Sequence, residues 1–263
     1  MPSGVRMALS TARETVALAR DRNLTSLAAG LAYYAFVSII PILLLVVAFA
    51  SFFGEGSVAT CLIETLGDSL SPAGQQRVTE LLTDTAGRGS ASVVGIITLV
   101  WSALKLFRGL DQAFEEIYSG GDDASLLERF RDASIVFLAV GAAVTLVVGV
   151  AVALARLQLD VPFLAPLGLV ALVVVLVVAF LPVYSVLPPI DVPLRDALPG
   201  AALAAVGWVG LQIGFRIYTR YAGRYAAYGL IGSVLLFVTW LYFASIIVLL
   251  GAAVNAVRQG IVR

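Results

Sequence analysis

Charged side chains withdraw from the chain six times, leaving charge-free runs at Asn23 to Gly54, Gly89 to Leu104, Ala133 to Ala155, Val161 to Ile190, Ala197 to Phe215 and Tyr225 to Val257. A helix needs about 20 residues, range roughly 17 to 25, to cross the hydrocarbon of a bilayer. Five of the runs reach that range, and Gly89 to Leu104, with 16 residues, falls just short. Backbone groups in lipid must pair internally, so such runs form helices or a closed barrel. The unbroken stretch LVALVVVLVVAF, Leu169 to Phe180, lacks the alternation of a barrel strand. The pattern therefore predicts an all-α integral membrane protein, a bundle of six transmembrane helices forming one domain over residues 1–263. The expected spans are about 24–53, 90–110, 133–156, 165–187, 197–217 and 229–256, with an external segment over 54–89 and a cytoplasmic one over 111–132. The first residues, MPSGVRMALSTARETVALAR, have no short cleavable apolar core and read as a cytoplasmic amphipathic N-terminal helix. In the external segment Val58, Leu62, Leu66 and Leu70 recur every fourth residue and Ser71–Pro72 makes an N-cap and first turn, which predicts a short helical hairpin. That hairpin reads either as a packed connector or as a lid over a pathway.

Composition agrees with the pattern. Hydrophobic residues make up 60%, charged residues 13%, and the mean hydropathy is +0.98, against roughly 25% charged in soluble domains. Basic residues are retained on the cytoplasmic side of a membrane. With the N-terminus inside, 11 of the 17 Lys and Arg lie inside and 6 outside, so both termini are expected to be cytoplasmic in a multi-pass protein of the cell membrane.

The inventory for catalysis is poor. The chain has no histidine and a single cysteine, Cys61, which removes His-based triads, the usual Cys/His zinc sites and any intramolecular disulfide. Ser102 and Lys105 match the S-x-x-K pattern of some acyl-transfer enzymes, but two fixed residues in four recur by chance and no companion motif follows. No Walker loop or dinucleotide fingerprint is present. No cofactor, metal or enzymatic activity is expected. Formal net charge is zero with no basic stripe, so a nucleic-acid surface is not expected either. Membrane lipids are the expected partners, and a homo-oligomer is compatible with the pattern.

Polar residues at membrane depth are expensive and therefore informative. Gly30, Tyr34, Ser38 and Pro41 share one helix face in the first span. Pro41 cannot donate to the carbonyl of Val37, while the Ser38 hydroxyl can donate to the carbonyl of Tyr34, a pairing that bends a membrane helix. Such a face serves either helix packing or a cavity. In the second span the short apolar run continues as a helix in which Trp101, Lys105, Arg108, Gln112 and Glu115 follow one side, with Asp111 nearby. Lys105 there either snorkels to the cytoplasmic interface or joins Arg108 in attracting an anionic group. Gly141, Thr145 and Gly149, and Gly210 with Gly214, have the spacing that allows close helix approach. Arg216, Arg220 and Arg224, interleaved with Tyr218, Tyr221, Tyr225 and Tyr228, read as an interfacial anchor or a lipid-phosphate site.

Three segments together resemble the YihY/BrkB family of inner-membrane proteins. The L-A-Y-Y-x-x-x-S-x-x-P core stands at Leu31 to Pro41, the W-S-x-x-x-x-x-R segment at Trp101 to Arg108, and Y-G-x-x-G, W-L-Y and L-G-A-E-x-N at Tyr228 to Gly232, Trp240 to Tyr242 and Leu250 to Asn255. One position departs: Ala253 stands where the family commonly has glutamate, so no role of that carboxylate carries over. The resemblance implies six spans and a membrane role, labelled ribonuclease in older usage and transport, including lipid transport, in newer. The expectation that joins these features is a transporter or lipid translocator for an anionic or amphiphilic substrate, with a pathway along the first, second and sixth spans. Its residues would be Tyr34, Ser38, Pro41, Trp101, Ser102, Lys105, Arg108, Asp111, Tyr228, Gly229, Gly232, Trp240, Tyr242, Gly251 and Asn255. The alternative is a non-transporting scaffold that recruits partners through its cytoplasmic segments.

Overall fold

Asn23 divides the amphipathic N-terminus from the first long apolar run. The computed structural model describes residues 3–52, 88–119, 131, 134–136, 138, 141–142, 145, 164–222 and 229–261, with side chains for a subset of these. Helix α1 runs Ser3–Asp21 and α2 runs Leu24–Phe52. Between them Asn23 takes a φ of 49°, the left-handed conformation that asparagine tolerates better than most residues. Its N–H donates to the Arg20 carbonyl (3.2 Å) and its own carbonyl accepts from Ser26 (2.8 Å) and Leu27 (3.2 Å), so one residue ends a helix and starts the next. Asn23→Val is expected to destabilise the protein by about 1–2 kcal/mol, because a β-branched residue pays the full left-handed penalty. Asn23→Gly should be close to neutral, and equilibrium unfolding of both variants in detergent is the check.

Helix α3 spans Arg88–Ile117, α4 Leu164–Val186, α5 Leu194–Ala222 and α6 Gly229–Arg258. The described residues between 131 and 145 are helical as well. All described regular structure is helix, as the uninterrupted apolar runs require. Among the described residues three helical stretches are long and apolar enough to cross a membrane, Gly168–Val186, Leu194–Tyr218 and Val234–Arg258, with a shorter apolar helix at Leu24–Ile39. The hairpin expected over 54–89 lies outside the described residues.

Two compact units are present, one of Met1–Ala32 with Phe107–Arg263 and one of Tyr33–Leu106. In the first, α5 packs between α4 and α6, and α1 packs on α6. Seven alanines are fully buried on these two helices, Ala197, Ala201, Ala204 and Ala205 on α5 and Ala252, Ala253 and Ala256 on α6. Small side chains let helix backbones approach where lipid offers no hydrophobic drive for association. Position 253, where the resemblance places glutamate, is thus an apolar core position here.

Large apolar residues face outward along each of these helices, among them Val170, Val174 and Val178 on α4, Val206, Ile213 and Ile217 on α5, and Leu235 and Phe243 on α6. A soluble protein does not leave such stripes in water; in a bilayer they meet lipid. Helix α4 ends against Pro188 and Pro189, neither of which can supply a helical N–H. Pro193 then caps α5 by accepting from the N–H groups of Asp196 (2.9 Å) and Ala197 (3.1 Å). Helix α6 stops in a Schellman turn: Gly260, at φ 69°, donates to Val257 (3.0 Å), and Ile261 donates to Ala256 (3.3 Å).

Candidate functional site

The unit Tyr33–Leu106 holds two of the polar features expected from the sequence. The Ser38 hydroxyl donates to the Tyr34 carbonyl at 2.7 Å, the local bond foreseen one turn before Pro41, and Ser38 is buried. The rings of Tyr33 and Tyr34 meet edge to face at 5.7 Å. Helix α2 continues through position 41, but the side chain of Pro41 lies outside the description, as does that of Ser102. On α3 the Lys105 ammonium lies 5.6 Å from the centre of the Trp101 ring, a cation–π pair at i, i+4. Lys105 is half-buried and Trp101 exposed, and among the described residues no carboxylate pairs with Lys105.

The other unit contains Arg108, exposed, and Asp111, half-buried and already engaged in an interaction. Here the strongest construction involves Asn255, one of the sequence candidates. Asn255 is fully buried on α6; its Oδ1 accepts from the Gly200 N–H at 2.7 Å and its Nδ2 donates to the Ala197 carbonyl at 3.1 Å. Both partners flank Pro199, inside α5, which has no N–H to give to the helical ladder. A side-chain amide carries both donor and acceptor, so one residue of α6 makes both bonds to α5.

Gly200 and Gly251 make this contact sterically available. A Cβ on Gly200 would overlap the Gly251 carbonyl and the Asn255 amide, and one on Gly251 would overlap the Tyr184 hydroxyl and the Gly200 carbonyl. Tyr184, buried on α4, donates to the Val248 carbonyl at 2.8 Å. One tyrosine, one asparagine and two glycines thus clasp α4, α5 and α6 together. The three hydrogen bonds of the clasp pair six polar groups, and none of these is a nucleophile poised by a base. Chemically it is a lock, and two of the expected pathway residues, Gly251 and Asn255, take part in it.

An aromatic ladder extends from the clasp. Phe180 meets Tyr184 (6.3 Å) and Trp208 (6.2 Å), Trp208 meets Trp240 (5.3 Å), and Trp240 meets Phe215 (6.3 Å) and Phe237 (6.0 Å). Trp240 thus sits within this ladder, and Tyr242 is half-buried with its ring 5.6 Å from that of Phe243. In the other direction Phe114 stacks with Tyr118 (6.4 Å) and tilts against Tyr184 (5.9 Å). Tyr118 is buried and its hydroxyl has no partner among the described residues; burial pushes its pKa well above the ordinary tyrosine range, so it stays a neutral phenol.

Arg22, in the α1–α2 elbow, reaches the end of α3, where its guanidinium donates to Glu116 at 3.2 Å and to the Ser119 hydroxyl at 2.6 Å. Ser119, like Asn23, has a positive φ, 66°. This tie is exposed enough to contribute less than about 1 kcal/mol, but it fixes the elbow in position.

Among the described residues the close approaches of glycine lie at positions other than Gly141, Gly210 and Gly214, and Gly149 lies outside the described residues. Among the described atoms nothing lies within 4 Å of a Cβ built on Gly141, Gly210 or Gly214. The close approaches are at Gly200, Gly251 and Gly207, where a Cβ would meet Ile247 at 2.7 Å. Gly232 is half-buried, Arg216 is exposed and engaged, Arg224 and Tyr228 lie outside the described residues, as does the side chain of Arg220, and Gly229 is described only as the first residue of α6. Tyr184, Gly200 and Trp208 were absent from the sequence candidates. The signal was there in LPVYSVLPP and in Pro199–Gly200, since a tyrosine or a proline inside an apolar run needs a partner.

Among the described residues no cluster of three potential metal ligands occurs. The model of the family described as virulence factor BrkB matches residues 15–262. A UPF0761 membrane protein of Alkalilimnicola ehrlichii is 29% identical over 86% of this chain and 53% of its own length. A second UPF0761 membrane protein, of Halorhodospira halophila, is 29% identical over 88% of this chain and 53% of its own. The putative ribonuclease-like protein YfkH of Bacillus subtilis is 25% identical over 88% of both chains. The chain thus spans about half the length of the first two relatives and most of the third. No solved structure matches. With a match covering nearly all of the chain, apolar membrane-length helices and relatives named as membrane proteins, this chain belongs to the BrkB family of membrane proteins.

Proposed function

We propose that the chain is a six-span protein of the cell membrane with cytoplasmic termini, and that it moves an anionic or amphiphilic substrate, such as a phospholipid, along a pathway built by its first, second and sixth spans. The observation that carries this reading is Lys105. It follows directly on an apolar run of 16 residues, it is half-buried, and its recorded contact is the face of Trp101. A cation held near membrane depth by a ring, with no acid against it among the described residues, is available to an anionic group. The buried Ser38 and its neighbour Tyr34 add a polar face on α2 in support. The reading assigns no catalytic step. YfkH carries ribonuclease-like in its name, while a chain without histidine and with zero net charge offers RNA little to bind.

The test is flip of headgroup-labelled phospholipid in proteoliposomes, read with a membrane-impermeant quencher. The native chain is expected to exceed empty vesicles. Lys105→Ala should lower the rate by roughly tenfold to a hundredfold, the loss of one hydrogen bond to a charged group, and Lys105→Arg should restore much of it. Full activity in Lys105→Ala removes that residue from the mechanism, and no flip by well-folded native chain rejects passive lipid translocation.

A further inference from the structure

Helix α1 shows a face that no part of the described chain covers. Its buried side is Thr15 and Leu18, in the helix that packs on α6. Leu9, Arg13, Val16 and Arg20 follow at intervals of four, three and four, which places them on one face. All four are exposed; Leu9 retains 49% and Val16 51% of its surface. Neither Arg13 nor Arg20 has an ion-pair partner among the described residues. The acids Glu14 and Asp21 stand elsewhere on the helix, roughly 120–140° around from Leu9 at 100° per residue. Basic and apolar side chains are thus collected on one face and acids kept off it. Two residues after this helix the apolar α2 begins at Leu24, and Arg22 pins the elbow to Glu116 and Ser119. A helix tied this closely to the mouth of a membrane helix lies at headgroup level, where exposed leucine and valine find acyl chains and arginine finds phosphate.

We propose that α1 docks on anionic phospholipid headgroups of the membrane in which the chain sits, with Leu9 and Val16 inserted and Arg13 and Arg20 on the phosphates. The premise is membrane embedding alone, and the docking is independent of what the chain transports. Two arginines near an anionic surface each shift the docking equilibrium by about fivefold, and high salt screens that contribution.

The experiment uses the full chain with Cys61→Ser and one introduced cysteine, Val16→Cys or Glu14→Cys, carrying an environment-sensitive fluorophore. The protein is placed in nanodiscs of phosphatidylcholine alone or with phosphatidylglycerol. The probe at 16 is expected to shift to the blue and to be quenched by lipid spin-labelled near the headgroup, more strongly with phosphatidylglycerol and less in molar salt. At 14 the probe should report water in both discs. Adding Arg13→Gln and Arg20→Gln should return position 16 to its behaviour in phosphatidylcholine. A water-like probe at 16 in phosphatidylglycerol overturns the proposal. So does a shift that ignores lipid charge and both arginines, which would mark the face as a protein contact.

Discussion

Asn255→Leu is expected to lower the stability of the folded chain in detergent by about 2–4 kcal/mol, although leucine is close in volume and more apolar. The native amide accepts from Gly200 and donates to Ala197 on either side of Pro199, fully buried. Leucine can do neither, and a buried group left without its partner costs about 1–3 kcal/mol. In lipid no water reaches the site to compensate. Asn255→Asp separates the two bonds. An ionised carboxylate accepts from Gly200 but cannot donate to Ala197, whereas the protonated acid does both. An ionised Asp there buries a charge and leaves the Ala197 carbonyl unpaired, so Asn255→Asp should also unfold at lower temperature than the native chain in the same detergent. Native stability in both variants would show that the two amide bonds contribute nothing beyond packing.

How far such effects were visible in the sequence depends on the distance over which they act. Helical class follows from backbone pairing in lipid, and the long runs were enough to place α4, α5 and α6 at Leu164–Val186, Leu194–Ala222 and Gly229–Arg258, close to the expected 165–187, 197–217 and 229–256. The Ser38 bond was legible too, because it spans four residues of one helix. Which faces meet was not. Lipid is as apolar as leucine, so a membrane helix carries no strong apolar stripe to mark its inner side. Gly210 and Gly214 have the spacing of a helix contact, yet among the described residues the close approach is made by Gly200 with Gly251, two residues far apart in the chain. The same limit applies to Asn255: its partners lie 55 and 58 residues away, so its two bonds to α5 are not legible in the local motif.

Gly251→Ala is expected to be strongly destabilising for a one-carbon change. The added methyl would overlap the Tyr184 hydroxyl and would stand 2.7 Å from Tyr184 Cζ and 2.8 Å from the Gly200 carbonyl oxygen. The tyrosine can yield by rotating away, which breaks its bond to Val248; the carbonyl can yield only if α5 moves. Overpacking of this kind costs typically about 1–3 kcal/mol, and loss of the hydroxyl bond adds about 1 kcal/mol. Tyr184→Phe alone should cost only that last amount, since phenylalanine keeps the ring contacts with Phe114 and Phe180. In the double variant the hydroxyl that the methyl would strike is already gone. Its destabilisation should then fall short of the two single effects added together by about 1 kcal/mol, the signature of residues in direct contact. The backbone part of the clash, against Gly200, persists in both backgrounds, so Tyr184→Phe should not return Gly251→Ala to native stability. Additive effects in unfolding measurements would mean that Tyr184 and Gly251 do not meet, and the clasp across α4, α5 and α6 would lose its α4 arm.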